Sequence, residues 1–272
     1  MKDFLAICEQ AARGAGAVLT GLFGRAKVRE KGPRNLVTEA DFASQEFVRQ
    51  TIAAAFPDHD FIGEEGDAGQ RDRRVEADYR WIVDPLDGTT NFAHGVPHFC
   101  VSLALENRGS LLVGAVFDPI RDECYTARAG AGSWLNGEPI RTSGVVDLAQ
   151  SLAGFGLPNV VAPDDPDLRL FNRALGVCQA IRRTGSAALN HCYVAAGRFD
   201  VAWNYGTRIW DVAAAALIVQ EAGGVIESPD GGGFVVERGR LFSAANRSLM
   251  EQLRRLSFRS GVEVDPEPID SK

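Results

Sequence analysis

Two aspartates lie three positions apart in the segment Asp84-Pro-Leu-Asp87-Gly-Thr-Thr-Asn-Phe92, directly after the apolar run Trp81-Ile-Val83. The apolar run predicts a buried strand, so both carboxylates must be paired, protonated or bound to a cation. No Lys or Arg lies between Arg80 and Arg108 to pair with them. Mg²⁺ fits this pattern because it binds a few carboxylates and completes its octahedron with water and phosphate oxygens. Asp-Pro and Asp-Gly are also ordinary turn dipeptides, so a surface turn stays open as an alternative.

Three further segments place acidic residues at the end of a predicted strand or the start of a predicted helix. They are Gly63-Glu64-Glu65-Gly66, Thr38-Glu-Ala-Asp41 and Trp210-Asp211. Each acid also has an ordinary structural explanation: Glu64 in a solvated turn, Asp41 in a capping box, and Asp211 as a helix cap. None of them alone indicates a metal site.

The elements that position these acids follow from hydrophobic spacing. Residues 3–23 predict an amphipathic helix, a turn-rich segment covers 31–35, and Thr38 opens a second helix. Short apolar runs then predict strands, with a hairpin turn at Asn107-Arg-Gly109. The runs are 81–83, 99–105, 111–117 and 123–127. This half is predicted to be antiparallel sheet with helices.

From about residue 150, apolar runs alternate with helix patterns, which is typical of an α/β fold. Predicted strands lie at 152–157, 180–183, 199–203, 225–227 and 241–244, and predicted helices at 167–178, 186–196 and 211–222 with a short terminal helix. We therefore expect an α/β protein with an N-terminal α+β half (1–145), a C-terminal α/β half (146–258) and a flexible tail (259–272).

Composition agrees with an enzyme that has a large core: the chain has 272 residues, of which 45% are hydrophobic and 24% charged. A net charge of −7 argues against nucleic acid or an anionic membrane as the main partner. Five cysteines without CxxC spacing indicate reduced thiols and no zinc site. The acidic residues Asp3 and Glu9 argue against a signal peptide, and the apolar run Val212 to Val219 is too short to span a bilayer. We expect a cytoplasmic protein.

Taken in order, these motifs resemble the inositol monophosphatase family of magnesium-dependent, lithium-sensitive phosphatases, which share a fold with fructose-1,6-bisphosphatase. The matching segments are LVTEAD at 36–41, FIGEE at 61–65, WIVDPLDGTTNF at 81–92, GAVFDPIRDECYTARAGAGSWLNG at 114–137, RRTGSAALN at 182–190 and WDVAAAALIVQEAGG at 210–224. The resemblance covers roughly residues 2–256. It implies a layered α/β/α/β/α fold, a site in the cleft between the two halves, and a homodimer.

The resemblance also implies two to three Mg²⁺ ions per site, with Mn²⁺ as an alternative cation. Glu64, Asp84 and the backbone carbonyl of Leu86 would hold the first ion. Asp84, Asp87 and Asp211 would hold the second, and Glu64 with waters would hold a weaker third.

The catalytic residues implied by the resemblance are Glu64, Thr89 and Asp41. Thr89, hydrogen-bonded to Asp41, would orient the metal-activated water that attacks phosphorus. Gly88 and Thr89 would offer backbone N–H groups to the phosphate, at a helix start where the dipole also favours an anion.

Substrate contacts are implied for Gly185, Ser186, Ala187, Asn204 and Asp211. The Gly-Ser-Ala turn is also simply a good helix start. Asn204 occupies the place where inositol-specific members of the family have a Glu, so it keeps hydrogen-bonding capacity but loses the charge. Arg208 either meets a second anionic group or lies at the surface. His94 and His98 follow the metal motif, but we expect structural or solvent-facing roles for both.

The predicted function is Mg²⁺-dependent hydrolysis of a small phosphate monoester, as in inositol-1-monophosphatase. Histidinol phosphate, fructose 1,6-bisphosphate and nucleotide 3′-phosphates are alternative substrates. A non-catalytic binding or regulatory protein with the same fold is the alternative from another class. Loss of a metal carboxylate or of Thr89 would favour that alternative, and all of these residues are present.

Overall fold

The computed structural model describes residues 3–66 and 77–258, so the predicted tail at 259–272 lies outside the described residues. The N-terminal elements are α1 (Phe4–Leu22), β1 (Val28–Gly32), β2 (Asn35–Thr38), α2 (Glu39–Ala55), β3 (Asp60–Gly63), β4 (Tyr79–Asp87), α3 (Thr89–Ala93), β5 (Cys100–Asn107), β6 (Ser110–Asp118), β7 (Glu123–Arg128), β8 (Gly132–Leu135) and β9 (Glu138–Pro139). The C-terminal elements are β10 (Leu152–Phe155), α4 (Pro166–Ala174), β11 (Ala180–Arg182), α5 (Ala187–Ala195), β12 (Val201–Asn204), α6 (Ile209–Glu221), β13 (Val225–Glu227), β14 (Leu241–Ala244) and α7 (Arg247–Phe258).

The N-terminal strands β3 to β9 form a seven-stranded sheet in chain order. Only the pair β3 and β4 is parallel among the described strands of this sheet; the other neighbours are antiparallel. The predicted hairpin is confirmed, since Asn107 pairs with Ser110 across a two-residue turn. Arg108 and Gly109 have φ angles of 51° and 84°, as the tight turns that suit strand twist require.

The C-terminal strands form a five-stranded sheet in the order β11-β10-β12-β14-β13. The first three strands run parallel, and β14 is antiparallel to both β12 and β13. The α/β character predicted for this half is therefore present, with an antiparallel edge added to the parallel strands.

Alternating side chains along the strands determine how the layers stack. Trp81 and Val83 pack against α1 and α2, whereas the intervening Ile82 faces α5 and α6. On the second sheet, Ala202 also faces α5 and α6, and Trp203 packs against α4 and α7 on the other side. The layers are thus α1/α2, the seven-stranded sheet, α5/α6, the five-stranded sheet and α4/α7. This is the predicted α/β/α/β/α fold.

The turn predicted within residues 31–35 is present at Pro33 and Arg34. The two strands that it joins, β1 and β2, form an antiparallel hairpin that the sequence analysis did not predict. Strand β1 is mostly exposed and strongly charged, so it lacks the apolar alternation by which a strand is predicted. The predicted boundary between the N-terminal and C-terminal halves at residue 145 stays a prediction.

In the described residues, every helix is too short or too polar to cross a membrane.

Candidate metal centre

A β-bulge at the end of β4 turns the two motif aspartates to the same face of the sheet. Asp84 pairs with Ser102 of β5 and Asp87 pairs with Cys100, so three steps along β4 match two steps along β5. In a regular strand, residues three apart would face opposite sides. Both aspartates are buried, and their face of the sheet is the one covered by α5 and α6.

Three carboxylates from three separate elements meet at this strand end. One oxygen each of Glu64, Asp84 and Asp211 lies within 4.8 Å of the other two. Glu64 directly follows β3, and its N–H donates to the carbonyl of Val83 at 3.2 Å. Asp211 lies in the first turn of α6 and accepts a hydrogen bond of 2.6 Å from the N–H of Arg208. The sequence therefore identified three acids that the fold brings together.

Asp87 lies outside this group of three and accepts hydrogen bonds from the start of α5. Its Oδ2 accepts hydrogen bonds from the hydroxyl of Ser186 at 2.6 Å and from the N–H of Ala188 at 2.7 Å, and its Oδ1 from the N–H of Ala187 at 3.3 Å. The thiol of Cys100 also lies 3.8 Å from Oδ2, so Oδ1, which has one donor among the described residues, is the oxygen of Asp87 with capacity left for a cation. Ser186 also caps α5, because its Oγ accepts from the N–H of Leu189.

Burial and mutual repulsion set the electrostatics of the acids. Burial, followed by the charges of Glu64, Asp87 and Asp211, raises the pKa of Asp84 well above its usual value. Burial, with Asp87 and Glu64 adding to it, raises the pKa of Asp211 to about 8. Burial also raises the pKa of Asp87 to about 6, against the hydrogen bonds from α5. A divalent cation would remove the cost of holding these groups ionised.

The donor set fits the predicted cation. All three converging groups are carboxylates, with neither His nor Cys in the set. Hard oxygen donors suit Mg²⁺ and Mn²⁺, whereas imidazole and thiolate would favour zinc or copper.

Lys31 is a member of this site that the sequence reasoning missed. Its Nζ lies 2.8 Å from Oε1 of Glu64 and 2.5 Å from Oε1 of Glu65. Burial would lower the pKa of Lys31, but the two carboxylates outweigh burial and raise it. Residues 81–107 contain no Lys or Arg, and the counterion comes instead from the distant β1–β2 hairpin. No spacing signal in the sequence marks this contact.

Asp41 and Thr89 are joined as predicted. Oδ2 of Asp41 accepts from the N–H of Thr38 at 2.8 Å and from its hydroxyl at 2.6 Å, which forms the predicted capping box. Oδ1 faces Thr89, whose Oγ1 is 3.3 Å away and also lies 2.9 Å from the carbonyl of Leu86. Oδ2 of Asp41 thus forms the capping box, while Oδ1 makes the contact with Thr89 that the resemblance implies. The two roles expected for Asp41 use different oxygens of its carboxylate.

Gly88 and Gly185 are required by close backbone packing around the site. Gly88 has a φ of 99° and precedes α3, and a Cβ there would lie 3.1 Å from the carbonyl of His98. Gly185 has a φ of 92°, and its Cβ would lie 2.7 Å from Nδ2 of Asn91. Asn91, which the sequence reasoning did not single out, donates to the carbonyls of His98 and Thr184 at 2.8 and 2.9 Å. It thereby ties α3 to the turn before α5.

The remaining candidates do not belong to the group of converging carboxylates. Asn204 ends β12 and is buried, with Oδ1 3.0 Å from Nε2 of His191. Arg208 is exposed and contributes its backbone N–H to Asp211. His94 is exposed, and His98 is buried with Nδ1 3.3 Å from Nη1 of Arg121. Neither histidine belongs to the carboxylate group, in line with the expectation for both.

Comparison with known proteins adds independent support for the resemblance. The chain is 42% identical over 248 residues to a Nus factor SuhB of Pseudomonas aeruginosa, covering 89% of this chain and 91% of that protein. It is 38% identical to an inositol-1-monophosphatase of Rhizobium meliloti, with 98% of each chain covered. The crystal structure of extragenic suppressor protein suhB from Bartonella henselae matches with a TM-score of 0.88 and 34% identity, covering 94% of this chain and 98% of that one.

The family model that describes the inositol monophosphatase family matches residues 1–260, which includes every segment of the resemblance. The chain therefore belongs to the inositol monophosphatase family.

Proposed function

We propose that this protein hydrolyses a small phosphate monoester with the help of Mg²⁺. The observation that carries the proposal is the meeting of Glu64, Asp84 and Asp211 within 4.8 Å, each from a different element. Membership of a metal-dependent phosphatase family supports the predicted phosphoric monoester hydrolase activity. A myo-inositol 1-phosphate-like substrate is the first candidate.

The chain offers donors for more than one cation. In the proposed arrangement, Glu64, Asp84 and the carbonyl of Leu86 hold one ion, and Asp84, Asp87 and Asp211 hold another. Glu64 contributes to a weaker third. Bound Mg²⁺ neutralises charge on phosphate oxygens and makes water more acidic. A count of two to three ions stays a prediction, which calorimetric titration with Mg²⁺ and Mn²⁺ would test.

Asp41 and Thr89 are proposed to orient the attacking water. The Thr89 hydroxyl has one proton, which it can donate to the carbonyl of Leu86 or to Oδ1 of Asp41. When the Leu86 carbonyl is engaged by a cation, Asp41 becomes the acceptor. A lone pair of the Thr89 oxygen can then accept a hydrogen bond from the attacking water, which orients that water.

Backbone groups are proposed to bind the phosphate. The first N–H groups of a helix have no partner within that helix, and Gly88 and Thr89 provide such groups at the start of α3. The turn Gly185-Ser186-Ala187 and the side chains of Asn204 and Asp211 are proposed to face the alcohol part of the substrate. Ser186 and Asn204 also have structural hydrogen bonds, so a substrate contact would be a second role for each.

Phosphate release tests the proposal directly. The panel contains myo-inositol 1-phosphate, histidinol phosphate, fructose 1,6-bisphosphate and a nucleotide 3′-phosphate, each with Mg²⁺, with EDTA and with added Li⁺. We expect release from at least one ester that EDTA abolishes and Li⁺ inhibits. Release that persists in EDTA would contradict the metal assignment.

A second candidate function comes from the relatives named Nus factor SuhB, at 42% identity in Pseudomonas aeruginosa and 39% in Pasteurella multocida. The second candidate function is therefore that of a Nus factor, which would be a non-catalytic binding or regulatory role on the same fold. Absence of phosphate release across the panel, from a protein that Mg²⁺ still stabilises, would favour this candidate. The predicted homodimer is a separate proposal, which light scattering during gel filtration would test.

A further inference from the structure

Helix α2 contacts the segments around the carboxylate group through three polar side chains. Asp41 contacts Thr89 at the start of α3. The hydroxyl of the buried Ser44 donates to the carbonyl of Pro85, within β4, at 2.8 Å. The third side chain is that of Gln45, which contacts the segment after β3. The three are spaced i, i+3 and i+4, so they lie on one side of the helix.

The amide of Gln45 binds the backbone of Glu65 through both of its ends. The N–H of Glu65 donates to Oε1 at 2.9 Å, and Nε2 donates to the carbonyl of Glu65 at 2.5 Å. Only one orientation of the amide makes both bonds, because Oε1 cannot donate and Nε2 cannot accept. The pairing of β3 with β4 reaches Gly63, and the N–H of Glu64 donates to the carbonyl of Val83. Gln45 therefore fixes the backbone one residue beyond this pairing.

The absence of a side chain at Gly63 leaves room for the amide. A Cβ on Gly63 would lie 2.1 Å from Oε1 of Gln45 and 2.5 Å from its Cδ. Gly63 is not one of the glycines with a positive φ, so the backbone conformation alone would accept a larger residue. Gln45 thus contacts the residues on both sides of Glu64, which is a proposed metal ligand.

Gln45 differs from Lys31 in the atoms that it holds. Lys31 pairs with the carboxylate of Glu64 itself, so an incoming cation competes with it. Gln45 is uncharged and bonds backbone groups of the following residue. Both of its hydrogen bonds can therefore persist when Glu64 binds an ion. The carboxylate is then available to the ion while the backbone that carries it stays in place.

The position of Glu64 matters because the converging acids come from separate elements. Glu64 follows β3, Asp84 lies within β4 and Asp211 lies within α6, and one oxygen of each lies within 4.8 Å of the other two. Mg²⁺ requires near-ideal octahedral geometry with ligands at about 2.0–2.1 Å, whereas Ca²⁺ accepts flexible arrangements at about 2.3–2.6 Å. A Glu64 that is free to shift would therefore weaken the binding of Mg²⁺ more than that of Ca²⁺.

We propose that Gln45 is a positioning residue for Glu64, and that its hold on the backbone of Glu65 makes the site prefer Mg²⁺ over Ca²⁺. This role needs both hydrogen bonds of the amide and the space that Gly63 leaves for it. The inference deepens the proposed function: it rests on the proposed cation site and is independent of which ester is hydrolysed.

The first test removes the amide. Gln45→Ala keeps a strong helix former in α2 and leaves every proposed metal ligand in place. We expect the calorimetric dissociation constant of Mg²⁺ to rise about tenfold and that of Ca²⁺ to rise much less, so that the ratio of the Ca²⁺ constant to the Mg²⁺ constant falls at least about threefold. Gln50→Ala is the matched control, because Gln50 is exposed on the same helix and bonds Glu46 instead. An equal rise for both ions, or no rise, would overturn the inference.

The second test breaks the same contact from the other side. Gly63→Ala displaces the flexible end of Gln45 without changing its chemistry, and we expect the same fall in the ratio. When Gln45→Ala is already present, the added methyl group enters the space that the amide has left. Gly63→Ala should then have little further effect, because both substitutions remove one contact. Additive effects of the two substitutions on the ratio would overturn the assignment of that contact.

The outcomes distinguish a failure of this inference from a failure of the proposed function. Calorimetry needs no turnover, so the preference between the two ions is measured whether or not an ester is hydrolysed. A wild-type protein that binds no Mg²⁺ would refute the metal assignment and this inference together. A wild-type protein that binds Mg²⁺, with the same preference over Ca²⁺ as Gln45→Ala, would refute only the inference.

Discussion

The ammonium nitrogen of Lys31 lies 2.8 Å from Oε1 of Glu64, although the two residues are 33 positions apart in the chain. The same nitrogen also contacts Glu65, whose side chain is almost completely buried. The metal-free protein thus carries a positive charge beside its cluster of acids. A cation that binds Glu64 must share this carboxylate with Lys31 or displace it.

Removing that charge should have opposite effects on the metal-free and metal-bound protein. We expect Lys31→Gln to lower the free energy of unfolding in EDTA by about 1–3 kcal/mol, because it leaves a buried carboxylate unpaired. The same change should tighten the Mg²⁺ site that includes Glu64. Arg49→Gln is the control, since its pair with Glu46 is exposed on both sides. Chemical unfolding with and without Mg²⁺ measures both effects, and weaker Mg²⁺ binding in Lys31→Gln would contradict competition at Glu64.

The converging acids should make the protein depend on a cation for stability. Mg²⁺ at a hundredfold excess over its dissociation constant is expected to add about 2.7 kcal/mol. Asp84→Asn should raise the melting temperature in EDTA, because it removes one of the repelling charges, and should reduce the gain from Mg²⁺. A wild-type melting temperature that stays constant over a wide Mg²⁺ titration would count against a converged cation site.

Asp87 offers a test of catalysis with little change of structure. Asp87→Asn retains a carbonyl oxygen that can accept from the start of α5, so the fold should remain. It removes a charge from the proposed second cation site, and we expect kcat to fall about a hundredfold or more. Circular dichroism checks the fold, and Asp122→Asn at the exposed turn is the matched control. Full activity of Asp87→Asn would refute its assignment as a ligand.

Two substitutions test the proposed role of the Thr89 hydroxyl: one removes the hydroxyl and the other retains it. Thr89→Val has the same shape without a hydrogen-bond donor, and we expect a loss of about 10²-fold to 10³-fold in kcat with a small change in KM. Thr89→Ser keeps the contacts with Asp41 and Leu86 and should retain much of the activity. Equal losses in both variants would point to packing of the methyl group instead of proton handling.

Asp167 predicts a pH dependence of stability away from the metal centre. Its carboxylate accepts from the N–H of Tyr205 at 3.0 Å, and burial raises its pKa to about 7 against that hydrogen bond. The folded state then binds more protons than the unfolded state between about pH 4 and pH 7, so stability falls as pH rises through this window. Asp167→Asn removes the titration. We expect the stability of the wild type relative to Asp167→Asn to decrease from pH 4 to pH 7 in denaturant unfolding, and a constant difference would contradict the raised pKa.

Local sequence patterns predicted the elements well because their causes are local. The capping box of Thr38 and Asp41 starts α2 by hydrogen bonds within four residues, and the Arg108-Gly109 turn fixes the register of β5 and β6. The bulge that aligns Asp84 with Asp87 could not be predicted in the same way, since it depends on pairing with β5. The motif's resemblance to a known family supplied the assignment that spacing alone left open.

Contacts between distant elements account for what the sequence did not indicate. Lys31 belongs to β1, an exposed and charged strand without apolar alternation. Its partner Glu64 follows β3, which belongs to a different sheet. His191 and Asn204 are 13 positions apart, and neither helical nor strand spacing relates them. Such pairs become visible only when the packing of α5 on β12 is known.

The middle layer of α5 and α6 also bears on how fast a cation can bind. One proposed ligand, Asp211, lies in the first turn of α6, while Glu64 follows β3 and Asp84 lies within β4 of the seven-stranded sheet on which α6 packs. Because α6 packs on strands of both sheets, a movement of one sheet relative to the other would unpack this helix. We therefore expect ion uptake to need no closure of one half upon the other. Its rate should be governed by dehydration of the incoming ion and by the release of Glu64 from Lys31.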